Sequence, residues 1–243
     1  MKRASKGVAV RPTTYPSLKP PTAFFSRENH NKHTREIVMA RYRGPRLRRC
    51  RAVGTVLPGL TTAAVLERPY PPGVHGARRR RKASDYKTRL IEKQKVRWHY
   101  GVMEKQFRRY VKEASRLSGP TGNNLVRLLE QRLDNVVWRL GLAPTIPAAR
   151  QMVVHRHIEV DGQRVDRPSF QVKLGHTVTV REKSRTKTFI QEYLERSTTR
   201  VVPEHLEFDP AKAEGKMIAL PGLESLPFEG NPQAIIEFYS QTL

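Results

Sequence analysis

Apolar positions recur at helical spacing through the middle of the chain. Leu125, Leu128, Leu129, Leu133, Val136 and Leu140 trace one face of a helix running from Thr121 to Gly141. Beyond an LAPTIP break, Ala149, Met152 and Val153 repeat the pattern, so two short amphipathic helices should pack together. Two further helices precede them. One spans about 85 to 100, capped by Ser84 or Asp85 and ended by Gly101, and the next runs from Met103 to Ser118 ahead of Gly119-Pro120. Thr121 is expected to cap the third.

After the helices the period changes to two. In HRHIEVD, Ile158 and Val160 fall on one face of a strand and His155, His157, Glu159 and Asp161 on the other. Asp161-Gly162 then predicts a tight hairpin. Gln171 to Val180 alternates around a turn at Leu174-Gly175 and should add strands to a small sheet. Thr188 to Arg196 reads as a short helix. The apolar AIIEFY, Ala234 to Tyr239, should pack an acidic tail on the basic body or on a neighbouring protein.

Charge changes the picture from fold to partner. The 243 residues carry a net charge of +24, with 28% charged and 37% hydrophobic, enough for one or two modest cores. Such an excess would repel itself unless a polyanion neutralised it, which points to nucleic acid. A membrane surface fits poorly, because no apolar run approaches the roughly 18 residues of a spanning helix. The charge is segregated: residues 202–243 have seven acids against two lysines, a net of −5, while residues 1–201 carry +29.

The first 38 residues hold eight Lys/Arg against two Glu, without apolar periodicity or the continuous apolar segment of a secretory signal. Three origins fit them: an organelle transit peptide, a disordered RNA-binding arm, or an upstream stretch read in error if Met39 is the true start. MARYRGPRLRRCR, Met39 to Arg51, then has six arginines and no acid. In ERPYPPGVHGARRRRK, the cluster of Pro69, Pro71, Pro72 and Gly73 prevents helix and sets an extended, turned backbone. Interleaved Tyr42, Tyr70 and His75 suit a segment laid along phosphates.

Catalytic and metal chemistry find little support. Cys50 is the single cysteine, which rules out an intramolecular disulfide framework and any multi-cysteine zinc site. His155, His157, Glu159 and Asp161 are more simply the outer face of a half-buried strand than zinc ligands. Arg132-Leu133-Asp134 is similar to the tripeptide that carries the catalytic aspartate of pseudouridine synthases, yet Asp134 lies in a strongly periodic helix. A charge partner for Arg132 or Arg139 is the simpler role. Phosphate-cradling glycine loops, HExxH and GxSxG are absent.

With these motifs in view, the chain resembles the small-subunit ribosomal protein S4 family of the bacterial and organellar type. MARYRGPRL resembles that family's usual start, RPYPPGVHG its proline-glycine arm, and EKQKVRWHYGVMEKQFRRY its helical domain. TGNNLVRLLEQRLDNVVWRLG and ARQMVVHRHIEVDGQRVDRPSFQVKLG resemble its RNA-binding module, and IIEFYS its C-terminal segment. The resemblance implies direct binding of a multi-helix junction in the 5′ domain of small-subunit rRNA, early in assembly. It also implies a place near the mRNA entry channel beside another small-subunit protein, and influence on decoding accuracy.

LAPTIPAARQ and LPGLT look closest to cyanobacterial and plastid members, so the resemblance favours the chloroplast stroma over a bacterial cytoplasm. Cys50 alone implies the zinc-free branch. Relatives usually read HGHIxVNG, whereas this chain has Arg156 for the first glycine and Asp161 for the asparagine. If position 156 is left-handed, arginine there costs on the order of 1 kcal/mol relative to glycine.

The expected fold class is α+β: a mostly helical domain, an inserted small RNA-binding module of two helices on a short antiparallel β-sheet, and an extended basic N-terminal arm. The expected boundaries are 1–38 for the extension, 39–83 for the arm, 84–131 plus 197–243 for the discontinuous helical domain and 132–196 for the module. The expected RNA contacts are Arg41, Tyr42, Arg43, Arg46, Arg48, Arg49, Tyr70, His75, Arg78, Arg79, Arg80, Arg81 and Lys82 in the arm. They continue with Arg108, Arg109, Arg132, Arg139, Arg150, His155, Arg156, His157, Lys183 and Arg185. The expected partners are small-subunit rRNA, neighbouring small-subunit proteins and mRNA near the entry channel, with no membrane, metal, cofactor or catalysis. An RNA-modifying enzyme and a non-specific nucleic-acid binder are the competing readings.

Overall fold

Helices account for most of the regular structure, and their ends follow local chemistry. The computed structural model describes residues 42–61, 68–78, 83–197 and 201–240, all within the unit Ala40–Leu243. The helices are α1 (Arg46–Val53), α2 (Asp85–His99), α3 (Glu104–Arg116), α4 (Thr121–Glu130), α5 (Leu133–Arg139), α6 (Ile146–Val154), α7 (Glu182–Arg185), α8 (Thr188–Ser197) and α9 (Pro232–Ser240). The strands are β1 (Ile158–Val160), β2 (Gln163–Arg164), β3 (Thr177–Val180), β4 (Leu206–Asp209) and β5 (Glu214–Met217).

The Ser84 side chain caps α2 by accepting from the Lys87 N–H, and Thr145 caps α6 by accepting from the Ala148 N–H, with Pro147 in the first turn. Thr121 does not cap α4; Pro120 occupies that position without a side-chain bond. The largest departure is at Gln131-Arg132. The continuous helix expected from Thr121 to Gly141 is broken there into α4 and α5, because Arg132 is extended, with φ −66° and ψ 134°. The segment 168–172 supplies replacement partners: the Leu133 N–H donates to the Phe170 carbonyl at 2.9 Å, the Asp134 N–H to Pro168 at 3.2 Å, and the Val172 N–H to Gln131 at 2.8 Å. Helical periodicity survives the break, so the apolar pattern does not reveal it.

The five strands form one antiparallel sheet in the order β2-β1-β3-β5-β4. Asp161 and Gly162 both have positive φ, 49° and 75°, the geometry of the two-residue turn that matches strand twist. Two expectations are corrected here. Between Gln171 and Val180 only β3 is a strand, the earlier part contributing a single bridge from Gln171 to Arg132. Residues 206–217 are not part of the helical domain, since β5 pairs with β3 from Thr177↔Lys216 to Thr179↔Glu214 and so completes the module's sheet.

Two main cores result. Leu133, Val136, Leu140, Ala149, Met152 and Val153 pack α5 and α6 on the sheet through Ile158, Val178, Val180 and Met217. Val96, Phe107, Val111, Leu125 and Leu129 join Ile235, Phe238 and Tyr239 of α9 in the second. The acidic tail thus packs back on the basic body: Glu237 meets Arg89 at 3.0 Å, and the Tyr239 hydroxyl donates to Glu104 at 2.7 Å. The arm is not wholly extended, because α1 buries Cys50 with Leu57 and Leu60 in a third small cluster.

Candidate nucleic-acid interface

In the arm, α1 leaves Arg46 and Arg48 exposed, with Arg43 exposed just ahead of it. The guanidinium of Arg49 lies 3.3 Å from the centroid of the Tyr42 ring and 5.4 Å from that of Trp98, so this pair is engaged within the chain. Arg51, which the sequence reading passed over, donates to the Tyr70 and Pro71 carbonyls at 3.1 and 3.4 Å and sits 5.0 Å from the Tyr70 ring. It therefore clamps the proline-glycine turn to α1. That turn is compact, since a Cβ on Gly76 would overlap the Pro71 carbonyl. His75 and Arg78 are exposed on it. Arg41, Arg79, Arg80, Arg81 and Lys82 lie outside the described residues.

The exposed face of α3 carries Lys105, Arg108, Arg109 and Lys112, which with Glu104 line an open groove. Their spacing, i, i+3, i+4 and i+7, puts all four cations on one stripe. Lys105 and Lys112 were missed, although the same periodicity that locates apolar faces would have found them. Glu104 meets the stripe at Arg108, 4.0 Å away, and its carboxylate is held more closely by Lys93 at 3.0 Å, Arg97 at 3.1 Å and Tyr239 at 2.7 Å.

Two expected RNA contacts face inward instead. Arg132 is 0% exposed; its guanidinium donates to both Asp134 oxygens at 3.0 and 2.7 Å and to the Tyr110 hydroxyl at 2.7 Å. Arg139, 11% exposed at the side chain, donates to Glu130 at 3.1 and 2.7 Å and to the Ser225 carbonyl. Glu130, itself 0% exposed, also accepts from Tyr100 at 2.5 Å and Asn135 at 2.6 Å. Burying a carboxylate at each site demands a paired guanidinium, so these arginines join the helical part to the module with their guanidinium donors engaged inside the chain. The Asp134 carboxylate is itself buried and bonded to Arg132 through both oxygens, the charge partnership expected of it.

On the module, Arg150 donates to the Gly101 carbonyl at 3.0 Å, tying α6 to the α2–α3 turn. His155 and Arg156 are exposed at the end of α6. Arg156 has φ 60°, the left-handed conformation anticipated for a position where relatives have glycine, and its guanidinium meets Asp166 at 3.0 Å. The Nδ1 atom of His157 is 3.0 Å from the Ser184 hydroxyl. Lys183 is exposed, whereas Arg185 donates to the Val180 carbonyl at 3.1 Å.

The His157 imidazole has its pKa lowered by burial and by the positive charges of Lys187, His155 and Arg181. The Arg181 N–H donates to the His157 carbonyl at 2.9 Å and the Lys187 N–H to that of Ser184 at 3.1 Å, so both flanks of α7 meet the end of α6 at one seam. Arg181 and Lys187 were not foreseen, because only the fold brings them beside His157. Among the described residues no group of three or more His, Cys, Asp or Glu is placed to hold a metal ion, and no helix is long and apolar enough to cross a membrane.

Comparison with known proteins matches residues 41–130 to the ribosomal protein S4/S9 N-terminal domain and residues 131–178 to the S4 domain. The chain is 51% identical over 203 residues to the small ribosomal subunit protein uS4 of Geobacillus stearothermophilus, covering 84% of this chain and 100% of that protein. It is 48% identical to the uS4 protein of the cyanobacterium Thermosynechococcus vestitus and 49% identical to that of a Synechocystis species, with 84% of this chain and 99% of each relative covered.

Proposed function

Because the chain belongs to the small ribosomal subunit protein uS4 family, we propose that it is a structural constituent of the small subunit that binds rRNA directly at a 5′-domain junction early in assembly. The observation that carries this reading is the set of exposed cations on the arm, on the α3 stripe and at the module seam. Duplex RNA presents shape and phosphate more than readable base edges, so surfaces of this kind recognise junction geometry. Binding should weaken steeply with salt, by about one unit of log–log slope per phosphate contact. Competition at physiological salt checks the reading. A folded 5′-domain junction should displace the protein from duplex DNA, and equal affinities for the two would defeat it in favour of a non-specific binder.

Finer assignments follow from the same reading. The burial of Asp134 supports a non-catalytic role, since an RNA-modifying enzyme of the pseudouridine synthase type needs that carboxylate open to a base. The tail leaves Glu204, Glu207, Glu224 and Glu229 exposed, and Ile218, Leu220 and Leu223 are 50%, 45% and 42% exposed. Such a surface suits a basic neighbouring ribosomal protein, beside the mRNA entry channel as the family resemblance implies, with an effect on accuracy. The family model begins at residue 41, and the basic, acid-poor residues ahead of it support import into a plastid. N-terminal sequencing of the protein from ribosomes purified from the organelle tests this: a mature start near Met39 there supports import, and retention of Met1 overturns it.

A further inference from the structure

An aromatic set beside the cationic seam has no role in phosphate binding. The ring centroids of His157 and Phe189 are 5.8 Å apart at 64°, and those of Phe189 and Tyr193 are 5.8 Å apart at 69°. His155 follows, 6.2 Å from His157 at 39°. Phe189 and Tyr193 are four residues apart on α8 and share a face. Ile190 is buried in the module core, with Tyr193 and Leu194 packed against it. Phe189 stands outside that core and is 37% exposed. Exposed Lys183 and Lys187 flank the Ser184 whose hydroxyl meets His157 at 3.0 Å, and the Arg181 N–H donates to the His157 carbonyl at 2.9 Å, its guanidinium approaching Glu159 only at 4.0 Å. Glu182 and Glu192 are exposed on the same two helices.

An exposed ring among cations matches the two faces of a single-stranded nucleotide, an aromatic base and its flanking phosphates. We propose that Phe189, flanked by Tyr193 and His157, is a stacking platform for one unpaired RNA base, whose neighbouring phosphates are held by Lys183, Lys187 and Arg181. This deepens the rRNA-binding reading and rests on it.

The test uses the full chain and a single-stranded RNA hexamer with a central 2-aminopurine, against the same hexamer abasic at that position. The wild type should quench 2-aminopurine and bind that strand about tenfold more tightly than the abasic one. Phe189→Leu and Phe189→Gln, each checked for folding by circular dichroism and thermal melting, should lose the difference while keeping the abasic affinity. Phe189→Trp should retain it. A folded Leu or Gln variant that still quenches and discriminates overturns the platform. So does a wild type that binds the 5′-domain junction yet treats the two hexamers alike, which leaves the rRNA reading standing. A wild type that binds neither junction nor hexamer overturns both.

Discussion

At the scale of the residue, polarity in the sequence did not reveal which charges face solvent. Arg132 and Asp134 form a pair with no solvent access, so Asp134→Ala strands a guanidinium in the core and should cost about 3–5 kcal/mol. The double replacement Arg132→Met/Asp134→Leu should recover most of that loss in urea denaturation. If the double variant is no more stable than the single, the buried charge is not the cause.

His99 is also 0% exposed, wedged edge-on between Tyr100, Trp138 and Phe228. Its pKa is lowered to about 3, chiefly by burial and further by Arg139, with the Pro58 carbonyl opposing. The unfolded chain takes up a proton near pH 6.5 that the native chain refuses until about pH 3. Stability is therefore intact above pH 6.5 and falls through that window, with a slope from this group approaching about 1.4 kcal/mol per pH unit. Denaturation from pH 7 to 4 should show a shallower acid limb for His99→Phe; an unchanged slope would mean other groups dominate.

At the scale of the element, helix and strand types were legible because periodicity, caps and turn residues are local. The break between α4 and α5 was not, since it depends on the segment 168–172 arriving from outside. Strand β5 was hidden for a similar reason. Its sequence, EGKM, has no strong alternation, and Gly215 is there because β5 crosses close over Leu140, where any Cβ would collide with that side chain. Gly215→Ala should therefore destabilise by about 1–3 kcal/mol. Leu140→Ala alone should cost about 2–5 kcal/mol, and the double variant should cost clearly less than the sum, because each change makes room for the other. Additive thermal shifts would count against the close crossing.

At the scale of the whole molecule, the acidic tail is structural as well as electrostatic. Deleting residues from 202 onward removes β4, β5 and α9 and so strips both main cores of partners. The truncated chain should lose its cooperative thermal transition and bind a hydrophobic dye, whereas a sharp melt would show that the tail only decorates a finished fold.

The sequence by itself determined the α+β class, the hairpin, the excess of positive charge and the family, because composition, period and turn chemistry are written in neighbouring residues. The family resemblance raised a left-handed backbone at position 156 only as a condition, and the fold set it, with φ 60° at Arg156. Tertiary structure alone decided that Arg132 and Arg139 turn inward, that Arg181 and Lys187 gather at His157, and that residues 206–217 finish the module's sheet. Each of those outcomes depends on desolvation and pairing between distant segments, and no local pattern encodes which segment arrives.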